Sequence, residues 1–115
     1  MGLFSKNKNE YKEASKKLNQ NKLAVDRLVM EELTDNDQRA AELVDILKEG
    51  NPLILNFEKL NEEEDNKMLA FFAGASYALD GKSIKINETT YLFARKVEFM
   101  DGSLQTFIQS IPKRK

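Results

Sequence analysis

The sequence predicts an α+β fold: a two-layer sandwich with two helices on one face of a mixed sheet of four to five strands, in the order β-α-β-α-β-β-β. Three observations carry this. Leu53, Ile54, Leu55 and Phe57 form a short, nearly unbroken apolar run between Asn51-Pro52 and an acidic stretch, the pattern of a strand covered on both faces. Two segments, from about Asp35 to Leu47 and from Asn61 to Leu79, repeat apolar residues at helical spacing between recognisable caps. After Gly81 the chain turns to short alternating segments divided by turn residues, which suits a strand meander.

In chain order, Leu23, Val25 and Val29 alternate with charged neighbours and predict a first strand. Asp35 is the expected cap of the first helix, with Gln38 at its third position. Ala40, Leu43, Val44 and Leu47 form the buried face, and Gly50 with Pro52 ends the helix. The run Leu53–Phe57 follows as the central strand. Asn61 caps the second helix and Glu64 completes a capping box, while Glu62, Glu63, Glu64 and Asp65 suit the positive end of the helix dipole. Asp80-Gly81 ends it, with glycine expected in the left-handed turn. Ile84 and Ile86 alternate with Ser83, Lys85 and Asn87, Asn87-Glu88 turns, and Tyr91–Arg95 and Val97–Met100 are further strands. Asp101-Gly102 is a turn signal, and Leu104, Phe107, Ile108 and Ile111 suit a last short helix or an edge strand.

The second helix carries two stripes. Met68, Phe71, Phe72, Ala75 and Leu79 make a bulky one. Ala70, Gly74 and Ala78, at steps of four, make one without bulk, along which another backbone can approach closely. A mid-helix glycine costs about 1 kcal/mol against alanine, so Gly74 points to a helix crossing, either inside the subunit or between two subunits. The order of these features, an apolar strand ending at Asn56, Phe72-Ala73-Gly74, Tyr77-Ala78-Leu79, Gly81, Lys85 and Tyr91-Leu92-Phe93, resembles the core of the SepF family of cell division proteins over roughly residues 24 to 108.

Composition narrows the chemistry independently. The 115 residues are 41% hydrophobic and 32% charged, enough for a self-sufficient core, and contain no cysteine and no histidine. Disulfides, Cys/His zinc sites, Cys nucleophiles and His-dependent triads are thereby excluded. The five glycines are dispersed, without a phosphate-binding loop, and the run Glu62–Asp65 points around a helix start rather than into a metal site. No catalytic residue, metal or cofactor is expected. A net charge of −1 hides an asymmetry: residues 1–23 carry +4, Lys113, Arg114 and Lys115 add +3, and residues 24–112 carry −8. An acidic body is unlike a nucleic-acid-binding domain, whereas basic segments suit anionic lipid.

The expected organisation is a basic leader over 1–21, disordered or weakly amphipathic, a core over 22–112 and a basic tail over 113–115. Leu3, Phe4, Tyr11, Ala14 and Leu18 lie near one helical face. Burying Leu3 and Phe4 in a membrane is worth about 1.5–3 kcal/mol each, a weak and reversible contact. No stretch is long and apolar enough for a membrane span or a signal peptide, which places the chain in the cytoplasm. Because two helices cover one face of the sheet, the other face is expected to be covered by a second copy in a symmetric dimer.

The resemblance implies a homodimer, able to polymerise, that binds the C-terminal tail of the tubulin-like protein FtsZ at the division septum on the inner face of the membrane. It implies a peptide groove at Lys85 and Tyr91 and a turn at Gly81, and with pairing and polymerisation both expected, the open sheet face and the stripe Ala70, Gly74 and Ala78 are the two self-contact surfaces the sequence offers. The alternative reading is a ligand-sensing or nucleic-acid-binding α+β domain unrelated to division.

Overall fold

The computed structural model describes residues 22–111. The run read as a central strand is β2, Leu53–Asn56, with Leu53, Ile54 and Leu55 all buried. It lies between β1, Val29–Glu32, which pairs with it in parallel, and β4, Thr90–Arg95, which pairs antiparallel. Outside β4 lies β3, Gly81–Lys85, giving the mixed sheet β1-β2-β4-β3. The fold class is α+β with four strands, as the sequence predicts. Hydrogen bonds from Ile86 N to Thr90 O and from Lys96 N to Asp80 O set the phase of the β3–β4 ladder. The backbone groups of Gly81, Ser83 and Lys85 therefore point to the open edge of the sheet.

Helix α1 spans Asp37–Lys48 and α2 spans Glu62–Ala78. Both pack on one face, where Ala40, Leu43, Leu47, Met68 and Phe72 meet Leu53, Leu55, Phe57 and Phe93. The capping box of α2 is present, with Asn61 Oδ1 accepting from Glu64 N at 2.8 Å and Glu64 Oε1 from Asn61 N at 3.1 Å. The cap of α1 is Asn36 rather than Asp35: Asn36 Oδ1 accepts from Arg39 N at 2.9 Å, which leaves Asp35 to pair with Lys67. Gly50 ends α1 with φ +101°, a conformation that disfavours a side chain.

The second face of the sheet differs from expectation. Ser103–Ser110 forms a third helix, α3, which with two 3-10 turns at Ala24–Arg27 and Lys96–Phe99 covers Ile54, Leu92 and Ala94. The sheet is thus covered on both faces by the chain itself, and the open sheet face expected to recruit a second copy does not exist. The beginning of the first predicted strand, which is a strand only from Val29, and the predicted strand Val97–Met100 become these turns for tertiary reasons. Ala24 N and Val25 N donate to Asp101 Oδ2 and Ser103 Oγ instead of to a neighbouring strand. Lys96–Phe99 turns because Glu98 is drawn inward to Arg27 and Arg95, with Arg95 Nε to Glu98 Oε2 at 3.0 Å.

The turn from α2 into β3 also divides its work differently from expectation. Asp80, not Gly81, takes the left-handed conformation, with φ 58°. Gly81 sits where a Cβ would lie 2.6 Å from Ala94 O and 2.9 Å from Ser76 O, so it is required by close approach of three backbones. The expectations placed on the leader, including Leu3 and Phe4, and on Lys113–Lys115 lie outside the described residues.

Candidate functional site

Among the residues singled out from the sequence, Lys85 and Tyr91 are brought together. They are direct cross-strand partners on β3 and β4, on the face that also carries α1 and α2. Tyr91 is half-buried, edge-on to Phe57 at 5.3 Å between ring centroids and stacked beside Phe93 at 6.2 Å. Its ring is thus fixed by core packing while part of it still meets solvent. Lys85 is exposed on the edge strand, 3.7 Å from Glu88 Oε2, a pairing too open to neutralise it. A cation beside a rigid, half-covered aromatic can meet a carboxylate and an apolar side chain of an extended segment.

The second surface is the outer side of α2. Ala70, Gly74 and Ala78 are all exposed, and a Cβ added at Gly74 would meet nothing within 4 Å. Among the described residues no second helix crosses there, so the small-residue stripe is not an internal packing surface. Phe71, read with the bulky stripe, is 43% exposed, and Tyr77 is 85% exposed. Ala70, Phe71, Gly74, Tyr77 and Ala78 form one continuous apolar band facing outward. The spacing of Tyr77, three after Gly74 and seven after Ala70, was the signal that could have placed it there.

Beside this band, α1 and α2 leave a cleft of about 310 Å³ lined by Asp37, Ala40, Lys67, Met68 and Phe71. Lys67 Nζ reaches Asp35 Oδ1 at 2.5 Å and Asp37 Oδ1 at 3.1 Å, and these hydrogen bonds hold its ammonium above the usual lysine range. Gly81 joins neither surface. It lies at the opposite end of β3 from Lys85 and serves the backbone contact described above.

Glu62 and Glu63 are exposed at the α2 start, and Glu64 is used by the cap. Among the described residues no group of three acidic side chains is placed to hold a metal ion, and no helix is long and apolar enough to cross a membrane. The arrangement supplies contact surfaces.

A family profile described as "Cell division protein SepF" matches residues 29–98. The chain is 35% identical over 65 residues to a protein of that name from Carboxydothermus hydrogenoformans, covering 56% of this chain and 47% of the relative. It is 35% identical over 69 residues to one from Natranaerobius thermophilus, covering 60% and 41%. Over 70 residues it is 31% identical to one from Alkaliphilus oremlandii, covering 61% and 48%. The matched region spans less than half the length of each of these relatives.

Proposed function

Because this chain belongs to the SepF family of cell division proteins, we propose that it is a non-enzymatic division scaffold that pairs with a second copy and holds the C-terminal tail of FtsZ. The observation that carries the pairing is the outward band Ala70, Phe71, Gly74, Tyr77 and Ala78 over open space. A two-fold axis through this band lets two α2 helices meet at their small residues while each aromatic is covered by the other copy. Burial of a large apolar side chain contributes about 1.5–3 kcal/mol. Sedimentation of Gly74→Lys tests it: the variant should be a folded monomer, because the new side chain has room within one subunit and none in the crossing. A stable dimer would remove the band from this role.

The tail-binding groove is assigned to Lys85 and Tyr91. Lys85→Glu should weaken an FtsZ tail peptide about tenfold or more, the scale of one lost charge-assisted contact. Tyr91→Ala would also disturb Phe57 and Phe93, so Tyr91→Phe, which keeps the ring, is the cleaner companion. Normal peptide affinity in folded Lys85→Glu and Tyr91→Ala would move the groove elsewhere. Membrane attachment at the septum is assigned to the leader through Leu3, Phe4 and its lysines, weak in one copy and strengthened by pairing or polymerisation. Equal, negligible pelleting with anionic vesicles of the full chain and of a chain lacking Met1–Asn21 would end that assignment.

A further inference from the structure

The sheet ends in two edges of opposite charge. In the order β1-β2-β4-β3 no described strand pairs with the outer side of β1 or of β3. Val29 N donates to Pro52 O and Leu33 N to Asn56 O, each at 2.9 Å, so the backbone groups of Met30 and Glu32 face outward. On β3 the outward groups are those of Gly81, Ser83 and Lys85. Neither strand contains a proline, and both ladders run without a bulge, so neither edge is blocked along its backbone.

β3 carries Lys82 and Lys85 and no acid, whereas β1 carries Glu31 and Glu32 and no base. Each charge has a neighbour in its own subunit. Arg39 reaches Glu31 at 2.6 and 2.9 Å, Lys59 lies 3.3 Å from Glu32, and Lys85 lies 3.7 Å from Glu88. Lys82 stands 5.3 Å over the Phe99 ring, and Asp80 pairs with Lys96 at 3.3 Å. These contacts remain partly in water, and a carboxylate held by one guanidinium still has lone pairs to offer. Two β3 edges would set lysines beside lysines and two β1 edges carboxylates beside carboxylates, which opposes pairing. Unlike edges attract. Met30, 61% exposed, is the one large apolar side chain standing exposed on a described strand, and it lies on this edge.

We infer that β1 of one copy adds to β3 of the next as a parallel strand, in a contact that repeats into an open row. β1 and β3 run in the same direction, because β1 is parallel to β2 while β4 is antiparallel to both β2 and β3. A row that keeps its helix layers on the same sides therefore joins them in parallel. Aligning Met30 with Ile84 brings the outward groups into phase: Met30 N meets Ser83 O, Lys85 N meets Met30 O, and Glu32 N meets Lys85 O. The same register sets Met30 against Ile84 on the α3 face and Glu31 against Lys85 on the α1 and α2 face. A shift of two residues either way puts Glu31 opposite Ser83 or Asn87 and loses the ion pair. Two short strands bury less than the roughly 1,000 Å² of a stable interface, so the contact takes effect where copies are already concentrated. It differs from the α2 pairing proposed above and does not depend on it. Lys85 is shared with the tail groove, so a tail peptide and a neighbouring β1 exclude one another at this edge.

The chain has no cysteine, and three strand spacings, roughly 14 Å, separate β1 from β3 within one copy, beyond the reach of a disulfide. Under mild oxidation a mixture of folded Met30→Cys and Ile84→Cys chains should give a linked two-chain species that neither chain gives alone. The double variant should give a ladder of three and more chains, also in the Gly74→Lys background. Adding Glu32→Pro to the Met30→Cys chain removes an outward N–H without touching the β2 ladder and should lower the yield about fivefold, the scale of one hydrogen bond. Should Ile84→Cys fail to fold, Val29→Cys with Ser83→Cys, opposite each other in the same register, decides in its place. No linkage between folded chains overturns the inference, as does linkage no greater than that of Met30→Cys with the exposed control Met100→Cys. Products of either single variant alone assign like edges to each other, and a ladder that stops at two chains assigns a closed pair; each overturns the row. An unchanged yield with Glu32→Pro overturns the added strand.

Discussion

Gly74 and Gly81 would be treated alike by composition, yet the structure gives them opposite roles. A Cβ at Gly81 would press on Ala94 O and Ser76 O, both backbone atoms that cannot swing away. Gly81→Ala is therefore expected to destabilise the fold by about 1–3 kcal/mol, the range of overpacking, measurable as a lower denaturant midpoint with an unchanged slope. Gly74, on an exposed helix face with open space at its Cβ, should behave in reverse. Gly74→Ala should stabilise the isolated subunit by about 0.5–1 kcal/mol through helix propensity. Glu98 is the residue on which most else depends: 5% exposed, it accepts from both Arg27 and Arg95, and Arg27 Nε also donates to Gly50 O at 3.0 Å. Glu98→Ala would leave two guanidinium groups beside one another without their carboxylate, a loss of about 3–5 kcal/mol. Chemical denaturation of that variant, with Glu98→Gln as the milder companion, measures it.

At the scale of elements, what was legible in the sequence is what neighbouring residues decide among themselves. The apolar run of β2, the capping box of α2 and the stop at Gly50 are local events, and each occurs where its residues predict it. The turns at Ala24–Arg27 and Lys96–Phe99 are decided by partners more than seventy positions away, which no window of alternating side chains registers. The same limit explains the site. Lys85 and Tyr91 are paired through a family resemblance and stand opposite each other on the ladder, whereas the bulky stripe divides, with Met68 and Phe72 buried and Phe71 43% exposed, because spacing alone does not tell which side of an apolar helix meets solvent. Asp101 ties α3 to the first turn, and hydrogen bonds from Ser103 and Ala24 hold its carboxyl below the usual aspartate range. A carboxylate with a depressed folded value contributes stability above its unfolded value, near pH 4, and loses it as pH falls through the folded value. Stability measured from pH 5 downward should fall less steeply in Asp101→Asn than in the parent chain.

At the scale of the whole molecule, a sheet with its own helices on both faces leaves the α2 band and the strand edges facing outward. A pair formed through the band is closed by its symmetry, so extension to a polymer requires a second and different contact. Native-state hydrogen exchange should divide the body in the same way: amides of β2 and β4 exchange only through global unfolding, those of the first turn and α3 through a smaller opening. The first-turn bonds join residues 24, 25 and 27 to 101, 103 and 98, so the layer they build cannot close until nearly all of the core has been synthesised. A nascent chain that has already emerged through β2 therefore carries Ile54 with its outer cover still inside the ribosome. Any factor that shelters nascent apolar surface would find its interval of action there, and truncation before residue 98 would prolong that exposure indefinitely.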